Sequence, residues 1–230
     1  MNKIINDKFI SNLLRIRCYH YINNLKNINL NSIKKLKRPF FLTLKTKYPL
    51  KKKYIKEIPA KFICKQILLR KRLKEKNFNL KNCYIEKNQF KKNVLKISLE
   101  KTSNSHFSQD KDLPVDFRKR LRFNWVKNFY KGQRGDFLIV YKKKIVSGFL
   151  LLLKKKENLI IDLIVTKKSQ AKKGVGRSLV KFVCSNFFHK KTKFLLAGTQ
   201  SNNKAALKFY KKIGFKKTNI NYFIYHIFLK

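Results

Sequence analysis

Residues 160–177 read IIDLIVTKKSQAKKGVGR: an apolar run, a short basic turn, and two glycines at the head of an amphipathic segment. The apolar run reads as a strand. Val175, Leu179, Phe182, Val183 and Phe187 mark one inward face of a helix. The glycines must therefore turn a strand into a helix. The first amides of a helix have no partner inside it and point outward together. Such a turn is preorganised for an anion, above all a phosphate. Gly174 and Gly176 lack the Cβ atoms that would block approach, and Lys172, Lys173 and Arg177 place charge beside them. A lone Gly-x-Gly is a weak signal; the flanking strand and helix give it weight.

The surrounding chain extends the pattern. Pro114 opens a helix in which Phe117, Leu121, Trp125 and Phe129 form a buried stripe, and Gly132 ends it. Runs 137–141, 145–153 and 159–165 are separated by lysine-rich turns and predict an antiparallel meander. The central run is apolar on both faces, so the sheet is expected to be covered on both sides. After the glycine turn come a strand at 193–197, a helix capped by Asn202 or Asn203 and closed by Gly214, and two strands at 215–218 and 221–229. The fold class is α/β with a mixed sheet.

All seven glycines lie between 132 and 214, so tight turns and close ligand approach concentrate in the second half. Earlier, FFLTLK at 40–45 predicts a strand. PAKFICKQILLRKRLKEKN from Pro59 predicts a helix with Phe62, Ile63, Ile67 and Leu73 inward, and 82–99 predicts one or two strands. The polar stretch 103–116 is a loop and the expected boundary. It separates an N-terminal packing or substrate-side subdomain, 1–102, from the main domain, 103–230.

The 58 Lys and Arg against 11 acidic residues give a net charge of +47. Two features argue against nucleic acid as the reason. The cations are overwhelmingly Lys and lie along the whole chain, whereas nucleic-acid binders concentrate them and favour Arg. Lys, Asn and Ile are also inflated together, as in NKIIND and NNLKNINLNSIKK, the joint bias that an AT-rich coding sequence would produce. Anionic small molecules should still be drawn in. Cys18, Cys64, Cys83 and Cys184 show no metal-ligand spacing and read as packed thiols in a reducing compartment. Lys3 and Asp7 interrupt any leader-like run, and Phe149–Leu153 is too short to span a bilayer. The expected location is cytoplasmic, with no metal.

The glycine turn, the Asn203-x-x-Ala206-x-x-Phe209-Tyr210 helix and Gly214-Phe215 resemble the core of the GCN5-related N-acetyltransferase family. Further details are similar to a narrower branch that acetylates TDP-linked amino sugars. These are Ser105-x-Phe107-x-x-Asp110, Trp125-x-x-Asn128, Gly132-x-Arg134-Gly135-Asp136, Gly148-Phe149, Gly198-Thr199-Gln200 and Tyr222.

The resemblance implies acetyl-CoA as donor, its pyrophosphate at Ala171–Arg177, including Val175, and its arm along the backbone of Ile164, Val165 and Thr166. Asn203 would contact the arm, or serve only as a helix cap, or do both. Ala171 departs from the family, which favours Gln or Arg there; Gln170 stands one place early. Tyr210 would protonate the leaving thiolate, the bland alternative being a core aromatic. Asp162, an acidic residue in an apolar strand, is a candidate base if it faces the cleft and a surface residue if it faces solvent. His106 is the second candidate; His20, His189 and His226 read as structural or exposed. Arg134 and Asp136 either orient the substrate's phosphate and sugar or form a hairpin turn.

The implied reaction is direct attack of an amine in a ternary complex, since no nucleophile–base pair stands out. The expected acceptor is an amino sugar on a nucleotide diphosphate. A protein N-terminus or another small amine is the rival acceptor, and a non-catalytic basic nucleic-acid-binding module is the rival class. A homodimer stays open.

Overall fold

The computed structural model describes residues 3–73, 80–100, 104–188 and 192–230. The elements in order are β1 (Ile4–Asn6), α1 (Lys8–Leu14), β2 (Arg17–Asn23), α2 (Leu30–Lys34), β3 (Phe40–Thr46), α3 (Lys52–Glu57) and β4 (Ala60–Arg72). Then come β5 (Cys83–Ile85), α4 (Lys91–Leu99), α5 (His106–Gln109), α6 (Val115–Tyr130), β6 (Phe137–Lys142), β7 (Val146–Lys155) and β8 (Asn158–Thr166). The chain closes with α7 (Val175–Asn186), β9 (Phe194–Gln200), α8 (Lys204–Lys212) and β10 (Lys216–Leu229).

These strands form one mixed ten-stranded sheet in the order β1-β2-β3-β10-β4-β9-β8-β7-β6-β5. The meander β6–β7–β8 is antiparallel as expected, while β8 and β9 run parallel. Both faces are covered. Leu150, Leu152, Ile161, Leu195 and Ala197 pack with α7 and α8 on one face. Leu138, Val140, Phe149, Leu151 and Val165 pack with α4 and α6 on the other. Phe41 joins Phe107, Phe117 and Leu121 on that second face, beside α5.

Three sequence expectations change and a fourth is narrowed. The helix expected from Pro59 is the strand β4, seated between β10 and β9. A register break between Cys64 and Phe62 shifts its alternation, which hides the period of two and mimics helical spacing. Phe62, expected inward, is consequently exposed. Within 82–99 only β5 is a strand; the buried Glu86 carboxylate accepts from the amides of Asn88 and Phe90, both at 2.9 Å, and launches α4. Part of the polar stretch before Pro114 is the short helix α5, capped by Ser105. The two terminal strands are one, β10. Its irregularity between Lys217 and Asn221 is held by the Thr218 hydroxyl, which donates to the Leu68 carbonyl at 3.0 Å and accepts from the Ile220 amide at 3.1 Å. The 102/103 boundary and His189 lie outside the described residues.

Candidate active site

The site grows out of an opening in the sheet. β8 and β9 pair only as far as Ile161 opposite Ala197, yet β8 runs on to Thr166 and β9 to Gln200. Beyond that point the parallel strands separate. The β9-side backbone groups of Ile164, Val165 and Thr166 are left without that strand as partner.

The turn beyond the opening behaves as its sequence requires. Gly174 is the N-cap of α7 at φ +82°, and a Cβ there would meet nothing within 4 Å. Its need for glycine is conformational, and a side chain there would point into open space. Gly176 has a different reason. A Cβ there would lie 3.2 Å from the Phe209 ring, so this glycine lets α7 and α8 approach closely. Ala171, Lys172, Lys173 and Arg177 are all exposed around the turn, and Val175 is buried beneath it.

Asn203 caps α8, its Oδ1 accepting from the Ala206 amide at 3.2 Å. Tyr210 sits on the same helix, 5% exposed, edge-on to Phe209 and Phe215 at 5.1 and 5.0 Å. Burial pushes its pKa well above the usual phenol range, so the hydroxyl keeps its proton at neutral pH. Among the described residues that hydroxyl has no hydrogen-bond partner. The four cysteines are buried; burial pushes Cys18, Cys64 and Cys83 up to about 12, 11 and 12, so none of these three is a ready thiolate.

Asp162 occupies a position that sequence parity could not reach. β7 pairs Leu151 with Leu163 but Leu152 with Ile161, so Asp162 is the extra residue of a bulge. Its carboxylate is not free. Arg134 Nε and Nη2 donate to Oδ2 and Oδ1, each at 2.7 Å, in a bidentate pair whose guanidinium lies 5.2 Å from the Trp125 ring. The two residues expected in separate roles are therefore each other's partners. Asp136 accepts from the Lys154 amide at 2.6 Å, while its own amide donates to Leu152 at 2.9 Å. Those bonds seat the turn that begins β6.

His106 stands on the α6 side of the sheet, half-buried, its Nδ1 2.9 Å from Nε2 of His226. His226 Nδ1 lies 2.6 Å from Asp110 Oδ2. His226 and Asp110 were not singled out as functional by sequence reasoning. Asp110 belonged to a recognised motif, but His226, 116 residues away, carried no local signal.

The cluster has a consequence for stability. Burial holds His106 and His226 below the ordinary 6.5. The unfolded chain therefore takes up protons below about pH 6.5 that the fold refuses, and stability falls with pH. For Asp110, burial alone would raise the pKa, but the bonds from His226, Lys61 and the Asp112 amide outweigh it and hold it well below the usual range. Its loss comes only near and below pH 4. Lys45, lowered by burial to about 8, has finished titrating above this window. The expected melting curve falls slightly from pH 8 to 7, as Lys45 completes its titration, and declines further from 6.5 to 5, with a shallower second decline in His226→Asn. A melting temperature that rises below pH 6.5 would contradict the assignment.

The model of the Acetyltransferase (GNAT) family matches residues 98–215. The chain belongs to that family. Its members use acetyl-CoA as acyl donor, and the matched segment contains the β8–β9 opening, the α7 turn and Tyr210. The acetyltransferase fold also appears in solved structures. A conserved protein of unknown function from Staphylococcus epidermidis is 11% identical with a TM-score of 0.70, over 99% of this chain and 92% of that one. A GCN5-related N-acetyltransferase from Kribbella flavida is 8% identical with a TM-score of 0.59, over 98% of this chain and 87% of that one. Among curated proteins, the spore coat polysaccharide biosynthesis protein SpsD of Bacillus subtilis is 24% identical over 134 residues, 58% of this chain. The match spans 46% of the length of SpsD. No helix among the described residues is long and apolar enough to cross a membrane.

Proposed function

We propose that this protein transfers the acetyl group of acetyl-CoA to a primary amine on a nucleotide-linked amino sugar, by direct attack in a ternary complex. The observation that carries the proposal is the parting of β8 from β9 directly before the anion-ready turn of α7. Acetyl-CoA supplies an activated thioester. In this reading the amides at the start of α7, with Lys172, Lys173 and Arg177, hold its pyrophosphate. The free backbone edge of Ile164–Thr166 pairs with its arm, and Asn203 adds a polar contact while capping α8. Tyr210 gives a proton to the departing sulfur.

The acceptor side lies on the sheet face under α5 and α6, where residues 1–102 contribute Lys45 and Gln66 as the substrate-side subdomain. The bidentate Arg134–Asp162 pair is better suited to fixing that wall than to taking a proton. A nucleotide diphosphate suits the charge, since an anionic acceptor is attracted where a polyamine would be repelled by +47. The likeness to a polysaccharide biosynthesis protein supports a sugar acceptor.

Two measurements probe the donor site. Acetyl-CoA should raise the melting temperature. The triple substitution Lys172→Ala, Lys173→Ala, Arg177→Ala should weaken acetyl-CoA binding about 10-fold at low salt, with the deficit shrinking as salt rises, because exposed charges each contribute only about 0.2–1 kcal/mol and are screened. Titration calorimetry at two ionic strengths reads this directly. Equal affinity for the triple variant and the unsubstituted protein at low salt would move the pyrophosphate elsewhere.

A further inference from the structure

The sheet face under α5 carries a row of polar groups that the donor half of the site does not use. Paired residues share a face, so Gln200 of β9, Gln66 of β4 and Tyr222 of β10 form one rank. Lys45 reaches over the Tyr222 ring at 4.7 Å. Gln66 leans across β9 into space that Gly198 leaves open; a Cβ there would lie 3.0 Å from its amide nitrogen. His226 follows on the same face, four residues beyond Tyr222 along β10. Above it, α5 is tied to the loop entering α8, where Asn202 Nδ2 donates to Gln109 Oε1 at 3.1 Å. The rank thus runs from the end of β9 towards His106.

Hydrogen-bond chemistry fixes the protons in the cluster at its far end. Asp110 is buried and ionised, and a carboxylate only accepts. Its Oδ1 takes the Lys61 ammonium at 3.0 Å and the Asp112 amide at 3.2 Å. Its Oδ2 faces His226 Nδ1, which must carry the proton. Burial keeps His226 neutral at pH 7 despite the pull of Asp110, so its Nε2 is a bare acceptor. His106 must then donate from Nδ1. Burial first, then the repulsion that a second proton on His226 would bring and that of Lys45, keep His106 neutral as well, against the opposing pull of Asp110. The lone pair of the row emerges at His106 Nε2, which has no hydrogen-bond partner among the described residues.

From this geometry we infer that Asp110, His226 and His106 form a proton relay, with His106 Nε2 as the base that takes a proton from the acceptor's ammonium group. The inference rests on the transferase reading above and places the base away from Asp162, which Arg134 holds. An ammonium N–H bond breaks, its electron pair stays on nitrogen, and the proton goes to Nε2 and on to solvent. The freed pair forms the N–C bond as the C–S bond breaks and the thiolate takes the Tyr210 proton. The second N–H proton, lost as the amide forms, restores the phenol. Asp110 and His226 act as positioning residues. They set the tautomer of His106 and stabilise its transient positive charge.

Two experiments decide it. Long-range proton–nitrogen correlation spectra of the full chain at pH 7.5 should show both rings protonated on Nδ1 and bare on Nε2. A His106 protonated on Nε2 overturns the relay whatever the kinetics. In assays with acetyl-CoA and a panel of TDP- and UDP-linked amino sugars, His106→Gln keeps a donor toward His226 but cannot take a proton. It should lower kcat/KM about 100-fold and move the acid limb of the pH profile up towards the range where the acceptor amine deprotonates unaided, with thermal protection by acetyl-CoA unchanged. Turnover by the unsubstituted protein together with unaltered His106→Gln kinetics and pH profile overturns the relay alone. Absence of turnover on every acceptor overturns the amino-sugar reading, and the base role with it.

Discussion

Tyr210→Phe should lower kcat by about 100-fold or more while leaving acetyl-CoA affinity within a small factor. The reasoning separates two functions of one side chain. The ring is core: it meets Phe209 and Phe215 edge-on and is 5% exposed, and phenylalanine repeats those contacts. The hydroxyl adds no hydrogen bond to the described fold, so its removal should not destabilise the packing. What disappears is a proton that burial holds on oxygen at neutral pH and that the leaving thiolate needs. Single-turnover kinetics beside a calorimetric titration of acetyl-CoA read the two quantities separately. Unchanged turnover would return Tyr210 to the role of core aromatic.

Gly148→Ala should lower the melting temperature by about 6–12 °C. The new Cβ would lie 2.7 Å from the Val165 carbonyl oxygen and 2.8 Å from Val175 Cγ1. The Val175 side chain can rotate away, but the carbonyl belongs to β8, which is paired to β7 at this point through Gly148 and Thr166. Relief therefore needs the strands to move apart. Overpacking of this kind costs about 3 kcal/mol at the upper end of its usual range, and each kcal/mol shifts melting by about 2–4 °C in a chain this long. Val165 lies on the free backbone edge and Val175 begins α7, so acetyl-CoA affinity should fall as well. A thermal melt matching that of the unsubstituted protein would show that β7 and β8 are packed less tightly here.

The parts that sequence made legible are those whose causes are local. The α7 turn needs a glycine at φ +82° and a helix after it, and both are written within a few residues. The meander follows from apolar runs broken by lysines, and α8 from Asn203 as cap and Gly214 as stop. What failed depended on distant pairing. β4 has helix-like spacing because a register break interrupts its alternation, and only β9 and β10 on either side make it a strand. The direction of Asp162 turns on one extra residue in β8, and its engagement on an arginine 28 positions earlier. His226 gains a role only because β10 carries it beneath α5.

The account stands most directly on acetyl transfer itself. The protein, acetyl-CoA and a panel of TDP- and UDP-linked amino sugars would be incubated together and the sugars followed by mass spectrometry. The expected result is one acetyl group added to the amine of at least one panel member, with stoichiometric release of free CoA. An unmodified panel, under conditions where acetyl-CoA is shown to bind, would contradict the proposed function.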